Sequence, residues 1–262
     1  MVRRPLGNHH HGPDTLLVTS DTTQTDQNEK ETGQLRELIG PARCVLFDFD
    51  GPICRLFAGH SAEGVAKDLV EWLEGQGLQG LLTEEERVHP DPMVVLYAVN
   101  RRRPRSDLVA ELEERLTRQE LKAVVSAWPT AYADPLIRTW TARGARLAIT
   151  TNNSARTAVS YLDDRDLTGC FAPHVYGRTR DLHRLKPDPH CLNRALGAMG
   201  ASLSSALMIG DTPSDLQAAR RAGVPFLGYA GSGRQEKALR EAGAECVVTS
   251  LEPVLRTVRE RP

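Results

Sequence analysis

Short apolar runs alternate with amphipathic segments over most of the chain. Glycine, proline or polar residues bound each run, which is typical of buried strands. The runs are CVLFDF (44–49), ARLAITT (145–151), SSALMIGD (204–211), GVPFLGYA (223–230) and AECVVTS (244–250). The segments between them have the apolar spacing of helices. Strands that alternate with helices favour a parallel sheet covered by helices on both faces, so the pattern predicts an α/β fold.

Three dipeptides predict where helices begin. Asp134-Pro135, Asp188-Pro189 and Thr212-Pro213 each place a capping side chain before a proline. A proline is well suited to the first helical turn, and Asp or Thr to the N-cap before it. We therefore expect each pair to start a helix.

The stretch from 56 to 130 differs from the rest, because it contains helical patterns and no convincing strand. We expect it to form a helical domain inserted into a core made of residues 34–55 and 131–262. Residues 1–33 are polar and lack a sustained apolar period, which predicts a disordered leader.

Composition narrows the class of protein. The chain has 262 residues, with 33 Lys and Arg against 34 Asp and Glu. This balance gives no indication of nucleic-acid binding or of a polybasic membrane anchor. We find neither a secretory signal nor an apolar stretch long enough to span a membrane. The five cysteines are widely spaced without a CxxC pair, which favours a reduced compartment, and we expect the cytoplasm.

Polar side chains follow the predicted strands where ligands of open parallel sheets bind. Asp48 and Asp50 end the first strand, TNNS (151–154) follows the second, and Asp211 and Asp215 follow the third. Lys186 precedes a predicted helix. Each has a purely structural alternative: strand-end acids, an N-cap cluster at 151–154, a surface lysine, and a capping box formed by Thr212 and Asp215.

Four motifs appear in the order found in the haloacid dehalogenase (HAD) superfamily, which the chain resembles over residues 43–250. They are DFDG (48–51), TTNNS (150–154), KPDP (186–189) and GDTPSD (210–215). The resemblance implies a Rossmann-like core and a helical cap over the active site, the latter at 56–130. Pro52 departs from the pattern, because the superfamily usually has Thr there.

The resemblance also implies roles for individual residues in phosphoryl transfer. Asp48 is the expected nucleophile and Asp50 the general acid and base. Thr151 and Lys186 complete the catalytic set, and Mg²⁺ is the expected cofactor. The expected phosphate ligands are Thr151, Asn152, Gly51 and Lys186. The expected metal ligands are Asp48, Asp50 through its backbone carbonyl, Asp211 and Asp215.

The predicted function is a Mg²⁺-dependent phosphatase of a small phosphorylated metabolite, acting through an aspartyl-phosphate. A phosphomutase is the nearest alternative, and a non-catalytic binding module a further one. A dehalogenase fits less well, because that branch lacks the second Asp and the metal. Arg55, His60 and the basic run NRRRPR (100–105) are candidate contacts for a second anionic group of the substrate. The sequence predicts neither the leaving group nor the oligomeric state.

Overall fold

The computed structural model describes residues 32–260, and nearly all of the predicted leader lies outside them. Residues 32 and 33, which we expected in the leader, belong to the first helix. The strands are β1 (Cys44–Phe47), β2 (Cys54–Arg55), β3 (Trp128–Pro129), β4 (Arg146–Thr150), β5 (Val175–Tyr176), β6 (Ala206–Gly210), β7 (Phe226–Tyr229) and β8 (Val247–Val248).

The helices fall into two groups along the chain. Between β2 and β3 lie α2 (Ala62–Gly75), α3 (Glu84–Arg87), α4 (Pro92–Arg102) and α5 (Asp107–Val124). The others accompany the main sheet: α1 (32–39), α6 (Ala133–Ala142), α7 (Ala155–Asp163), α8 (Thr168–Phe171), α9 (His190–Met199), α10 (Pro213–Ala222), α11 (Gly233–Glu241) and α12 (Glu252–Glu260). Short 3₁₀ helices cover Gln79–Leu81, Leu182–Arg184 and Leu203–Ser205.

The main sheet has the order β5-β4-β1-β6-β7-β8, and each adjacent pair of its strands is parallel. All residues of β1 and β6 are buried, as expected of parallel strands covered on both faces. Side chains of the central strands alternate between two apolar clusters. Phe47 and Ile209 join Trp140 and Phe171 on one face, and Leu46 joins the α9 and α10 side chains on the other. The predicted α/β sheet is confirmed.

A separate apolar cluster lies among α2, α4 and α5, and Leu182 and Leu185 of the main body join it. The chain passes between these helices and the main sheet at the antiparallel pair β2–β3, where Arg55 is opposite Trp128. We did not predict the short strands β2, β3 and β5. The division into a cap at 56–130 and a two-part core stays a prediction that this arrangement favours.

One of the three predicted helix starts is correct. Thr212 caps α10, Pro213 is its first residue, and Thr212 and Asp215 form a capping box. The other two are wrong. Helix α6 begins at Ala133, and Asp134, inside its first turn, forms an ion pair with Arg165. Helix α9 begins at His190, after Pro189; Asp188 still accepts a hydrogen bond from the His190 N–H.

Candidate active site

Strand register brings the polar strand ends together. Phe47 pairs with Ile149 of β4 and with Ile209 of β6, so the next residue, Asp48, lies level with the ends of both neighbouring strands. The side chains that follow β1, β4 and β6 therefore reach one edge of the sheet. They line a cavity of about 1130 Å³ between this edge and the helices α2, α4 and α5.

Asp48 is buried at the base of this cavity. Its Oδ1 accepts hydrogen bonds from the Phe49 N–H at 2.7 Å and faces Lys186 Nζ at 2.9 Å. Burial raises the pKa of Asp48 to about 6, although the attraction of Lys186 opposes that rise. One oxygen is thus fixed by protein donors, and the described residues offer no hydrogen bond to Oδ2.

Lys186 also contacts Asp215 Oδ1 at 2.5 Å. Burial alone lowers the pKa of this ammonium, but Asp215 and Asp48 raise it by more, so the pKa lies above its ordinary value. Lys186 therefore stays charged at neutral pH. Asp215 Oδ2 accepts hydrogen bonds from the Thr212 N–H and hydroxyl and the Asp211 N–H, which is the capping role expected as its alternative.

Asp48, Asp211 and Asp215 each place a carboxylate oxygen within 4.8 Å of the other two. Asp211 Oδ1 is buried without a hydrogen-bond partner among the described residues. Burial, together with repulsion from Asp215 and Asp48, raises the pKa of Asp211 well above its ordinary value. Three carboxylates face one ammonium, so this oxygen cluster is short of positive charge and fits a small divalent cation.

The carboxyl group of Asp50 is not part of this cluster. Its Oδ1 accepts a hydrogen bond from the Leu56 N–H at 2.9 Å, and the residue lines the cavity. Burial raises the pKa of Asp50 to about 7. This arrangement suits a proton donor and acceptor near neutral pH.

Gly51 has a backbone φ of +112°, and a Cβ on it would lie 2.5 Å from Asp211 Cγ. The position therefore requires glycine because Asp211 packs against it. Its carbonyl accepts the Thr130 hydroxyl at 2.5 Å. Pro52, the departure from the superfamily pattern, is buried beside it.

Thr151 and Asn152 lie at the end of β4 and line the same cavity. The Thr151 hydroxyl bonds to Asn153 Oδ1 and accepts the Asn153 N–H. The Asn152 side chain donates to the Lys186 carbonyl at 3.0 Å and accepts the Lys186 N–H at 2.9 Å. This pair of bonds joins the second and third motifs. The structure thus brings the residues predicted for catalysis, phosphate binding and metal binding to one cavity.

Sequence reasoning missed a buried ion pair behind these motifs. Arg178 donates to Glu120 of α5 at 2.7 Å, and the Arg178 and Glu120 side chains are 0% and 1% exposed. Glu120 also accepts bonds from Asn153 Nδ2 and the Ser154 N–H, and Arg178 donates to the Asn152 carbonyl. A signal was present in α5, since Glu113, Thr117 and Glu120 fall on one helical face.

Gln235 was also missed. It lies in the first turn of α11, after the N-cap Ser232, and donates from Nε2 to Asp211 Oδ2 at 2.7 Å. This bond engages Oδ2 of Asp211, and Oδ1 is the oxygen that has no hydrogen-bond donor among the described residues.

Comparisons with known proteins agree with this site. A family model described as haloacid dehalogenase-like hydrolase matches residues 42–223. A phosphoglycolate phosphatase from Rhodospirillum rubrum is 29% identical over 194 residues, which are 71% of this chain and 78% of that protein.

Solved structures share the fold. One described as a predicted phosphatase from Clostridium acetobutylicum has a TM-score of 0.60 at 19% identity, covering 84% of this chain and 99% of that one. Another, described as a β-phosphoglucomutase from Thermotoga maritima, has a TM-score of 0.57 at 20% identity, covering 83% and 99%. The family model matches more than half of the chain and the four motifs meet in one cavity, so the protein belongs to the haloacid dehalogenase-like hydrolases.

Proposed function

We propose that the protein is a Mg²⁺-dependent phosphatase that hydrolyses a small phosphomonoester through an aspartyl-phosphate on Asp48. The observation that carries the proposal is the meeting of Asp48, Lys186 and Asp211 at the base of one cavity. The similarity to phosphoglycolate phosphatases supports the same reaction class.

In the first half of the reaction, Asp48 Oδ2 attacks phosphorus and the bond to the leaving oxygen breaks. Lys186 holds Asp48 Oδ1 and offers positive charge to the phosphoryl oxygens. Asp50, whose pKa of about 7 lets it carry a proton near neutral pH, protonates the leaving alkoxide.

In the second half, a water molecule attacks the same phosphorus and gives its proton to Asp50. The bond from phosphorus to Asp48 breaks, and inorganic phosphate leaves. Asp48 and Asp50 return to their starting protonation states, so the cycle balances. Thr151 and the Asn152 N–H hold a phosphate oxygen throughout, and Gly51 lets the backbone approach the group closely.

Asp48, Asp211, Asp215 and the Asp50 carbonyl would hold Mg²⁺. When bound, the ion neutralises phosphate charge and so allows one anion to approach another. The described residues contain no helix of the length and apolar character needed to cross a bilayer. A cytoplasmic location stays a prediction.

Phosphate release from p-nitrophenyl phosphate and 2-phosphoglycolate, with and without Mg²⁺, tests the proposal. We expect Mg²⁺-dependent turnover that Asp48→Asn abolishes. Equal turnover by that variant would contradict it. Conversion of a sugar phosphate to its isomer with little free phosphate would instead identify a phosphomutase.

A further inference from the structure

Arg55 lines the active-site cavity and forms no ion pair with any carboxylate among the described residues. The only other basic side chain of those residues that lines the cavity is Lys186, which Asp48 and Asp215 already neutralise. Arg55 is therefore the positive charge that is available to a ligand.

The position of Arg55 is fixed by its backbone and by Trp128. Strand β2 pairs with β3 so that Arg55 and Trp128 are directly opposite, and side chains of opposite residues share one face of the pair. The guanidinium carbon lies 5.4 Å from the Trp128 ring centroid, within the range of a cation–π contact. Trp128 is 58% exposed, so the ring is open to a ligand as well.

Arg55 is also close to the proton donor. The Leu56 N–H, next in the chain, donates to Asp50 Oδ1 at 2.9 Å, so one short segment carries both the acid and the arginine. Asp50 protonates the leaving oxygen in the proposed function. Asp50, Arg55 and Trp128 all line this cavity, so a leaving group protonated by Asp50 shares the cavity with Arg55 and Trp128.

The other sequence candidates for an anion contact lie outside the cavity lining. Arg101 and Arg102 of the run NRRRPR form ion pairs with Glu86, and neither lines the cavity. His60 is bonded to Gln119 and also lies outside the cavity lining. Much of the wall contributed by the helical segment is apolar, with Phe57, Pro90, Pro92, Met93 and Tyr97.

We propose that Arg55, held over Trp128, binds a second anionic group on the leaving alcohol, so that the substrates are phosphomonoesters carrying a carboxylate or a second phosphate. This inference rests on the proposed function. An arginine fork recognises either group through charge-assisted hydrogen bonds, which are stronger than neutral ones.

Three small substrates distinguish a carboxylate from a second phosphate as the group that Arg55 binds. The leaving alcohol of 2-hydroxyethyl phosphate is uncharged. In 2-phosphoglycolate a carboxylate takes the place of the free CH₂OH group, and in 1,2-ethanediol bisphosphate a second phosphate ester takes the place of the free hydroxyl. We expect kcat/KM for one anionic substrate to exceed that for the neutral one by about 10- to 100-fold, the range of a charged hydrogen bond. The better of the two anionic substrates identifies the group.

In Arg55→Gln, we expect KM for the preferred anionic substrate to rise about 10- to 100-fold, while 2-hydroxyethyl phosphate stays within about twofold. Arg55→Lys keeps the charge without the fork and should fall between the two. Arg103→Gln is the matched control, because it makes the same change of charge in the run NRRRPR (100–105), outside the cavity lining. This variant should have the wild-type KM and kcat/KM for all three substrates.

Equal losses on all three substrates in Arg55→Gln would show an effect on Asp50 and overturn the inference, as would a wild-type preference for the neutral ester. A binding experiment separates this failure from failure of the proposed function. Calorimetry with Asp48→Asn and with Asp48→Asn/Arg55→Gln compares the affinities for 2-phosphoglycolate, the bisphosphate and 2-hydroxyethyl phosphate without turnover. An Arg55-dependent gain for an anionic ligand supports the inference even if no ester is hydrolysed; equal affinities refute it.

Discussion

At the scale of single residues, the site residues that could be predicted from the sequence are those that directly follow a strand. Asp48 and Asp211 follow apolar runs in the sequence, and the structure places both at the same sheet edge. Glu120 and Arg178 could not be paired from sequence, because 58 positions separate them and nothing local marks Arg178. Side-chain pairing of this kind depends on tertiary packing.

Gly51 gives the sharpest residue-scale prediction. Gly51→Ala strains the positive φ, which costs about 1–3 kcal/mol of the free energy of unfolding, and pushes Cβ into the Asp211 carboxylate. We expect weaker Mg²⁺ binding as well as lower stability, measured by calorimetry and urea unfolding. Gly144→Ala is the control, since its φ is +76° and a Cβ there meets nothing within 4 Å. It should lose stability but keep Mg²⁺ affinity; equal loss of affinity in both would contradict this.

Asp50 gives a prediction on pH. Burial raises its pKa from 3.8 to about 7, so between about pH 4 and 7 the folded protein holds a proton that the unfolded chain releases. The free energy of unfolding should therefore fall as pH rises through this window, by less than about 1.4 kcal/mol per unit from this group. In chelator-treated protein, Asp50→Asn should flatten the decline. Parallel curves for wild type and variant would contradict it.

At the scale of elements, apolar runs predicted the central strands because those strands are buried on both faces. The strands β2, β3 and β5 have only two residues each, and each pairs with a strand that is distant in sequence. Such short strands leave no apolar run from which they could be predicted. The two wrong helix starts differ, because Asp188 still bonds to the first N–H of α9 whereas Asp134 bonds to a distant residue. Asp134 forms an ion pair with Arg165, a partner that the local sequence does not indicate.

The ion pair between α5 and the segment after β5 gives the element-scale prediction. Arg178→Met leaves Glu120 buried without its partner, which should cost about 3–5 kcal/mol in urea unfolding and raise KM through the Asn152 and Asn153 contacts. Arg156→Met is the matched control, because Arg156 joins the exposed Glu114 of the same helix to α7. It should cost under about 1 kcal/mol. Similar costs for both variants would refute this account of the buried pair.

At the scale of the whole molecule, the site joins parts of the chain that are distant in sequence. Asp48 follows β1, Asp211 follows β6, and Lys186 precedes α9. Bound Mg²⁺ should therefore stabilise the whole fold, by about 2.7 kcal/mol when its concentration is 100 times the Kd. Asp211→Asn should lose this gain in thermal unfolding, whereas Glu63→Gln, an exposed change on α2, should keep it. A full Mg²⁺ shift in Asp211→Asn would exclude Asp211 as a ligand.

Covalent catalysis by Asp48 is tested most directly by looking for the phosphoryl group on this residue. Wild-type protein is mixed with 2-phosphoglycolate or p-nitrophenyl phosphate and Mg²⁺, quenched in acid within a turnover, and its peptides are analysed by mass spectrometry. We expect one phosphoryl group on the peptide that contains Asp48, and none in Asp48→Asn. Steady turnover with a label on another residue, or undiminished turnover by Asp48→Asn, would contradict it.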